Sequence, residues 1–305
     1  MASPRIATAP FDASDADIVF RTSDDVDFRL HRIILALASP IFKDMLGLPQ
    51  PPSDDDGKSL PIVPVSESSR VLEPLLLFCY PAPPPVIDTL NDACLILDAA
   101  AKYDIICVQK AMAIHVSSQR FMDENTVGVY CLACRYGWEQ VAKSAALCCL
   151  KIRSLGRPSM LAEEMRLTTA IAYHRLLVYH AECGKVACAL GRENFQWLAY
   201  DSRQRGDNCH RCNQAAYPGS TDIISLQAWL KDALHAVGGE LLERPDSTTV
   251  ITSSQFDVQT KNYHQCNDCI QLASRGRFSA MKEVFAQQVR EEIGKGLSKV
   301  ELEFE

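Results

Sequence analysis

Four cysteines in two Cys-x-x-Cys pairs, Cys209-His210-Arg211-Cys212 and Cys266-Asn267-Asp268-Cys269, are the residues here best suited to holding a metal ion. A two-residue gap lets one turn offer two thiolates at the separation a tetrahedral zinc needs. Four thiolates close such a site and leave no open position for a substrate, so the expectation is a structural zinc, not a catalytic one. The long gap between Cys212 and Cys266 exceeds the roughly 15 to 20 residues usual in zinc ribbons. Unbound or redox-active thiols and disulfides therefore stay open as alternatives. Polar residues inside both pairs speak against burial as small hydrophobes, and His210 and His264 are reserve ligands. Cys131 and Cys134 share the spacing but lie in the apolar run Val129-Tyr130-Cys131-Leu132-Ala133-Cys134. There a three-residue offset puts both on one helix face, where Cys packs well. Cys148-Cys149 and Cys183 with Cys188 read the same way, with His180-x-x-Cys183 a distant metal candidate. His31 has no neighbouring nucleophile and reads as a helix-start residue held by local hydrogen bonds. The sequence carries no phosphate-cradling glycine loop, nucleophile elbow, His-Glu-x-x-His or kinase set, and the expectation is a non-enzymatic protein.

At 305 residues the chain has room for two domains or three small ones. Apolar content of 47% with 23% charged residues is that of a globular protein. A net charge of −7 speaks against a general nucleic-acid binder, since phosphate contacts need a positive surface. No apolar run is long enough for a membrane span, and the first residues lack a signal-peptide core. Thirteen cysteines, an odd number, with no Asn-x-Ser/Thr acceptor, fit a reducing compartment, cytoplasmic or nuclear.

Asp17 to Leu46 organises the elements that position these residues. Ile18, Val19 and Phe20 form an apolar run, Thr22-Ser23-Asp24-Asp25 a turn, and Val26 to Leu30 alternates with period two, which predicts a hairpin. Beyond His31 the spacing turns helical, and Ser39 as N-cap with Pro40 at the first helical position divides two helices. Leu60 to Val65 predicts a strand that Pro61 and Pro64 confine to a sheet edge. Ser68 or Ser69 caps a helix through Tyr80, and Asp88-Thr89 opens one from Leu90 to Tyr103. A third helix, Ile106 to Val116, is expected to turn Ile106, Met112 and Val116 inward. Helices are then expected from Asn125 to Tyr136, Trp138 to Ile152, Met160 to about Leu190, and about Ile270 to Ile293. Phe278, Met281, Phe285 and Val289 form the apolar stripe of the last.

This residue order resembles the BTB/POZ domain. The match rests on Asp17, on Phe28-Arg29-Leu30-His31-Arg32-Ile33-Ile34-Leu35-Ala36, on Ser39 followed by Phe42, on Leu75 to Tyr80, and on Leu97 to Ile105. It departs at Pro81-Ala82-Pro83-Pro84-Pro85. The resemblance implies an α+β fold, a short mixed sheet flanked by helices over residues 15–120, preceded by a disordered tail at 1–14. A helical extension at 121–190 and a C-terminal helical region at 191–305, pinned by the zinc, would follow. It implies a homodimer interface containing Ile18, Phe20, Ile33, Ile34 and Leu37, and a charged pocket formed by Asp17 and Arg32. As function it implies a protein-binding adaptor or scaffold, with a cullin-based ubiquitin ligase as one partner through the surface around Ser66 to Pro74. The alternative is a transcriptional or nucleic-acid-associated role for the zinc-bound C-terminal region.

Overall fold

The computed structural model describes residues 4–48, 60–157, 162–193, 195–198, 228–263 and 279–297. The chain divides into two compact units at Asn125 and Thr126. The first is α+β; the described part of the second is helical.

In the first unit β1 (Arg5–Ile6), β2 (Ile18–Arg21), β3 (Val26–Leu30) and β4 (Ile62–Pro64) form one mixed sheet in the order β1-β3-β2-β4. β2 and β3 pair antiparallel, Phe20 opposite Phe28, while β1 lies parallel to β3 and β4 parallel to β2. The turn closes through the Thr22 N–H donating to the Val26 carbonyl at 3.0 Å and the Asp25 N–H donating to Thr22 at 3.1 Å. Asp25 takes φ 56°, a left-handed conformation that Asp tolerates better than most residues. Val26, Phe28 and Leu30 are buried and Asp27 and Arg29 less so, the period of a half-covered strand. Arg21 and Asp27, directly opposite, form a fork: Nε to Oδ1 at 2.7 Å and Nη2 to Oδ2 at 2.8 Å. β4 sits at the edge, where the N–H that Pro64 lacks is not missed, and the carbonyl of Pro61 just before it accepts from the Val19 N–H of β2 at 2.9 Å.

α1 (Arg32–Ala38) and α2 (Pro40–Gly47) meet at Ser39. The Ser39 N–H closes α1 on the Leu35 carbonyl at 3.0 Å, and its Oγ accepts from the Phe42 N–H at 2.9 Å to open α2. The same hydroxyl donates to the carbonyl of Tyr103, so one buried side chain fixes the bend and anchors it to a distant helix end. α3 (Ser69–Leu77), α4 (Leu90–Lys102) and α5 (Ile106–Val116) complete the unit, and Thr89 caps α4 through the Asp92 N–H at 3.1 Å. Aromatic rings tie the layers together: Phe42 lies 5.4 Å from Phe20 and 4.5 Å from Tyr103, and Phe11 5.4 Å from Phe28 and 5.3 Å from Tyr80. Each such pair contributes about 1 kcal/mol beyond its buried area.

Two expectations change here. Residues 4–14 are not a disordered tail: Phe11 is fully buried, the Arg29 N–H donates to its carbonyl at 2.9 Å, and β1 extends the sheet. In α5 the inward stripe is Val108, Met112 and Val116, each one turn apart, while Ile106 is 58% exposed because it lies two residues, more than half a turn, from Val108.

α6 (Gln119–Arg135) has its backbone kink at Asn125, the last residue of the first unit; its remainder opens the second unit and is followed by α7 (Glu139–Cys149), α8 (Ala170–Arg192), α9 (Ala228–Glu243), α10 (Ser247–Thr252), α11 (Gln255–Tyr263) and α12 (Ser279–Leu297). Gly137 stops α6 at φ 67°. The single helix expected from Met160 is instead a 3-10 turn at Glu163–Leu167 and then α8, which starts where Thr169 Oγ1 accepts from the Ala172 N–H at 3.1 Å. Gly191 does not end α8 but lies inside it, at a crossing with α9. A Cβ at Gly191 would stand 2.6 Å from the Leu234 carbonyl oxygen, and one at Gly184 2.6 Å from that of Leu242. The two backbones touch only because these positions lack side chains. The line expected at 190/191 thus runs through the α8–α9 packing. On α12, Met281, Phe285, Val289 and Ile293 face inward, and Trp197 stacks on Phe285 at 4.5 Å while its Nε1 donates to the Leu190 carbonyl at 2.9 Å. Phe278 and the expected start of this helix at Ile270 lie outside the described residues.

Candidate interaction site

The α1–α2 pair presents the clearest unsatisfied surface of the first unit. Leu35 points inward, which with 3.6 residues per turn forces Ile33 and Leu37 outward. They are 70% and 84% exposed, and Ile41 at the start of α2 adds to the same set of exposed apolar residues. Ile34 is partly covered. Ile18 and Phe20, expected with them at an interface, are fully buried inside the domain. The central strand of a sheet covered on both faces has no surface to offer, so the exposed members of that set are Ile33 and Leu37.

The head of α1 is held by three elements. Asp17 accepts from the Arg32 N–H at 2.8 Å, and the Tyr80 hydroxyl accepts from the His31 N–H at 2.8 Å. The Arg32 guanidinium turns to the Leu46 carbonyl at 3.3 Å. Among the described residues no side-chain ion pair joins Asp17 to Arg32: Asp17 is exposed and acts as a remote cap on the first amide of α1. Burial pushes the Tyr80 hydroxyl up to about 12, so it stays a neutral phenol. His31 Nε2 lies 3.4 Å from the exposed Asp15, which fits the role of a helix-start residue.

A second polar cluster surrounds the start of α3. Asp24, in the hairpin turn, accepts from the Ser69 N–H at 2.7 Å and the Ser69 hydroxyl at 2.6 Å, and these bonds, led by the hydroxyl, hold its carboxyl down at about 2. Lys102 Nζ reaches Glu67 Oε1 and Ser66 Oγ, each at 2.7 Å, and the Tyr103 hydroxyl donates to Glu67 Oε2 at 2.6 Å. Burial raises Glu67, but the bonds from Lys102 and Tyr103 outweigh it and leave the carboxyl below its ordinary value. The cluster braces the Ser66 to Pro74 segment. None of these partners could be paired from sequence, because each joins elements far apart in the chain.

Cys209, Cys212, Cys266 and Cys269, with His210 and His264, lie outside the described residues. Among the described residues no group of three or more His, Cys, Asp or Glu side chains could hold a metal ion. Cys131 is buried in α6 and its thiol is pushed up to about 12 by that burial. His180 commits Nε2 to the Ile152 carbonyl at 2.9 Å beside the buried Cys183. No described helix is long and apolar enough to cross a membrane.

No curated protein matches this sequence. Residues 10–120 match the family model of the BTB/POZ domain. A small mixed sheet built on one hairpin, the α1–α2 pair beside it and α3 to α5 behind make this stretch a BTB/POZ domain, a protein-interaction module.

Proposed function

We propose that this chain is a homodimerising BTB/POZ protein of the cytoplasm or nucleus that acts as an adaptor or scaffold. The observation that carries the reading is the pair Ile33 and Leu37, exposed on one face of α1, with Ile41 exposed on α2. Large aliphatic side chains left this open favour burial against a like surface, and an interface made of one patch on both copies closes on itself as a two-fold dimer. A partner would bind elsewhere on the domain, and the braced Ser66 to Pro74 segment is the surface offered to a cullin. A structural zinc on Cys209, Cys212, Cys266 and Cys269, outside the BTB/POZ domain, belongs to the same reading.

Light scattering on the full chain at micromolar concentration tests self-association, and a monomeric mass throughout the range rejects it. Affinity purification with mass spectrometry tests the rest. Cullin peptides favour the ligase adaptor, recovery of the chain alone favours a scaffold, and transcription factors would move the reading to a regulator.

A further inference from the structure

Between α3 and α4 the chain reads Pro81-Ala82-Pro83-Pro84-Pro85-Val86. Each proline ring fixes φ at roughly −65°, and a residue that precedes a proline is kept out of the helical region. Pro83 and Pro84 meet both conditions, and polyproline II is the backbone that does so. Residues 83–89 accordingly form neither helix, strand nor turn. Among the described residues no backbone amide or carbonyl of residues 83–87 is hydrogen-bonded, as befits a helix with three residues per turn and no internal bonds.

Both ends of the segment are tied down. Upstream the Ala82 N–H donates to the carbonyl of the buried Tyr80 at 2.8 Å. Downstream Ile87 is buried, Arg120 Nη2 donates to the Asp88 carbonyl at 2.7 Å, and Thr89 caps α4. Between these anchors Pro85 is buried, and with three residues per turn that leaves Pro83 and Val86 together on one outward edge and Pro84 on the other. All three are exposed, Val86 to 79%. The domain thus holds out one turn of a stiff apolar ridge with carbonyl acceptors along it.

We propose that Pro83, Pro84 and Val86 form a docking site for a second protein, a domain that reads polyproline II through an aromatic-lined groove. Flat aromatic side chains pack against proline rings, and a Trp or Tyr donor among them reaches a carbonyl of the ridge. Ordering a flexible peptide opposes such recognition; here the proline rings and the two anchored ends order the segment before any partner arrives. A monomer presents this ridge, so the site does not rest on self-association.

The test titrates the full chain into two isotope-labelled probes, an isolated WW domain and an isolated SH3 domain, and follows their resonances. The expected result is a saturable shift confined to the aromatic groove of at least one probe. Pro83→Ala with Pro84→Ala should weaken that binding by at least about tenfold, and so should Val86→Asp, as truncation of anchor residues does. Both changes are at exposed positions, and circular dichroism checks that the variants stay folded. Pro51→Ala with Pro52→Ala, in the other proline-rich stretch and outside the described residues, should leave binding unchanged. No shift in either probe, binding that survives in the folded Pro83/Pro84 and Val86 variants, or binding lost instead with Pro51 and Pro52 would each overturn the proposal.

Discussion

Replacing Asp24 with Ala should loosen α3 by about 1 kcal/mol near neutral pH and by almost nothing near pH 2. The side chain supplies what the helix's own N-cap lacks: Ser68 makes no side-chain cap bond, and Asp24 takes up the first amide of α3 and the Ser69 hydroxyl from across the domain. Its carboxyl is lowered to about 2 from an ordinary 3.8. At about 1.4 kcal/mol per unit that shift would be worth roughly 2.4 kcal/mol if fully desolvated. Asp24 is exposed, so solvent screening brings the figure to about 1 kcal/mol, within the range of measured caps. A depressed carboxyl contributes its stability above the ordinary value and loses it as pH falls from about 4 towards 2. The assay is hydrogen exchange of the α3 amides, variant against wild type at matched pH, since the domain has no Trp to report on it. Asp24→Asn keeps one acceptor and should fall between the two, with no pH dependence of its own. Equal protection in Asp24→Ala and wild type near neutral pH, or a deficit that persists undiminished near pH 2, would refute the charge-assisted cap.

Leu37→Asp should weaken the proposed dimer by at least about tenfold, because burying a Leu is worth roughly 1.5 to 3 kcal/mol; concentration-dependent light scattering reads it. Gly191→Ala should destabilise the second unit by about 1 to 3 kcal/mol despite the better helix propensity of Ala, since the α8 and α9 backbones would have to separate. Gly294→Ala, at a helical glycine with open space around it, should instead stabilise by up to about 1 kcal/mol, and denaturant melts followed by Trp fluorescence compare the two. Elemental analysis of purified protein should find about one zinc, lost in Cys266→Ser and kept in Cys131→Ser; metal-free wild type would end that reading.

Much of the first unit was legible because its signals are local. The period-two run of Val26 to Leu30, the Ser39-Pro40 break and the Thr89 cap each depend on residues within one turn of each other, and each stands where the pattern puts it. Phe11 was not legible: a single aromatic after Pro10 in a polar segment has no periodicity, and only the distant rings of Phe28 and Tyr80 make it core. The Asp17–Arg32 relation was legible as proximity but not as chemistry, since sequence does not tell a carboxylate bonded to a backbone amide from one bonded to a guanidinium. At Gly191 the usual stop signal gave way to a tertiary demand, close approach of α9, which no window along α8 contains.

The sheet has one antiparallel pair and two parallel ones, and this sets an order of assembly. β2 and β3 are joined by the four-residue turn Thr22 to Asp25 and close within microseconds, whereas β4 reaches β2 only after α1, α2 and the residues beyond them have been made. At ribosomal speeds that is a delay of a few seconds, during which the outer edge of β2 has its amides and carbonyls open. An open edge is a template for another chain. A nascent BTB/POZ domain of this sequence is therefore most exposed to mispairing between the emergence of Leu30 and that of Ile62, and a chaperone that protects it has to act in that interval.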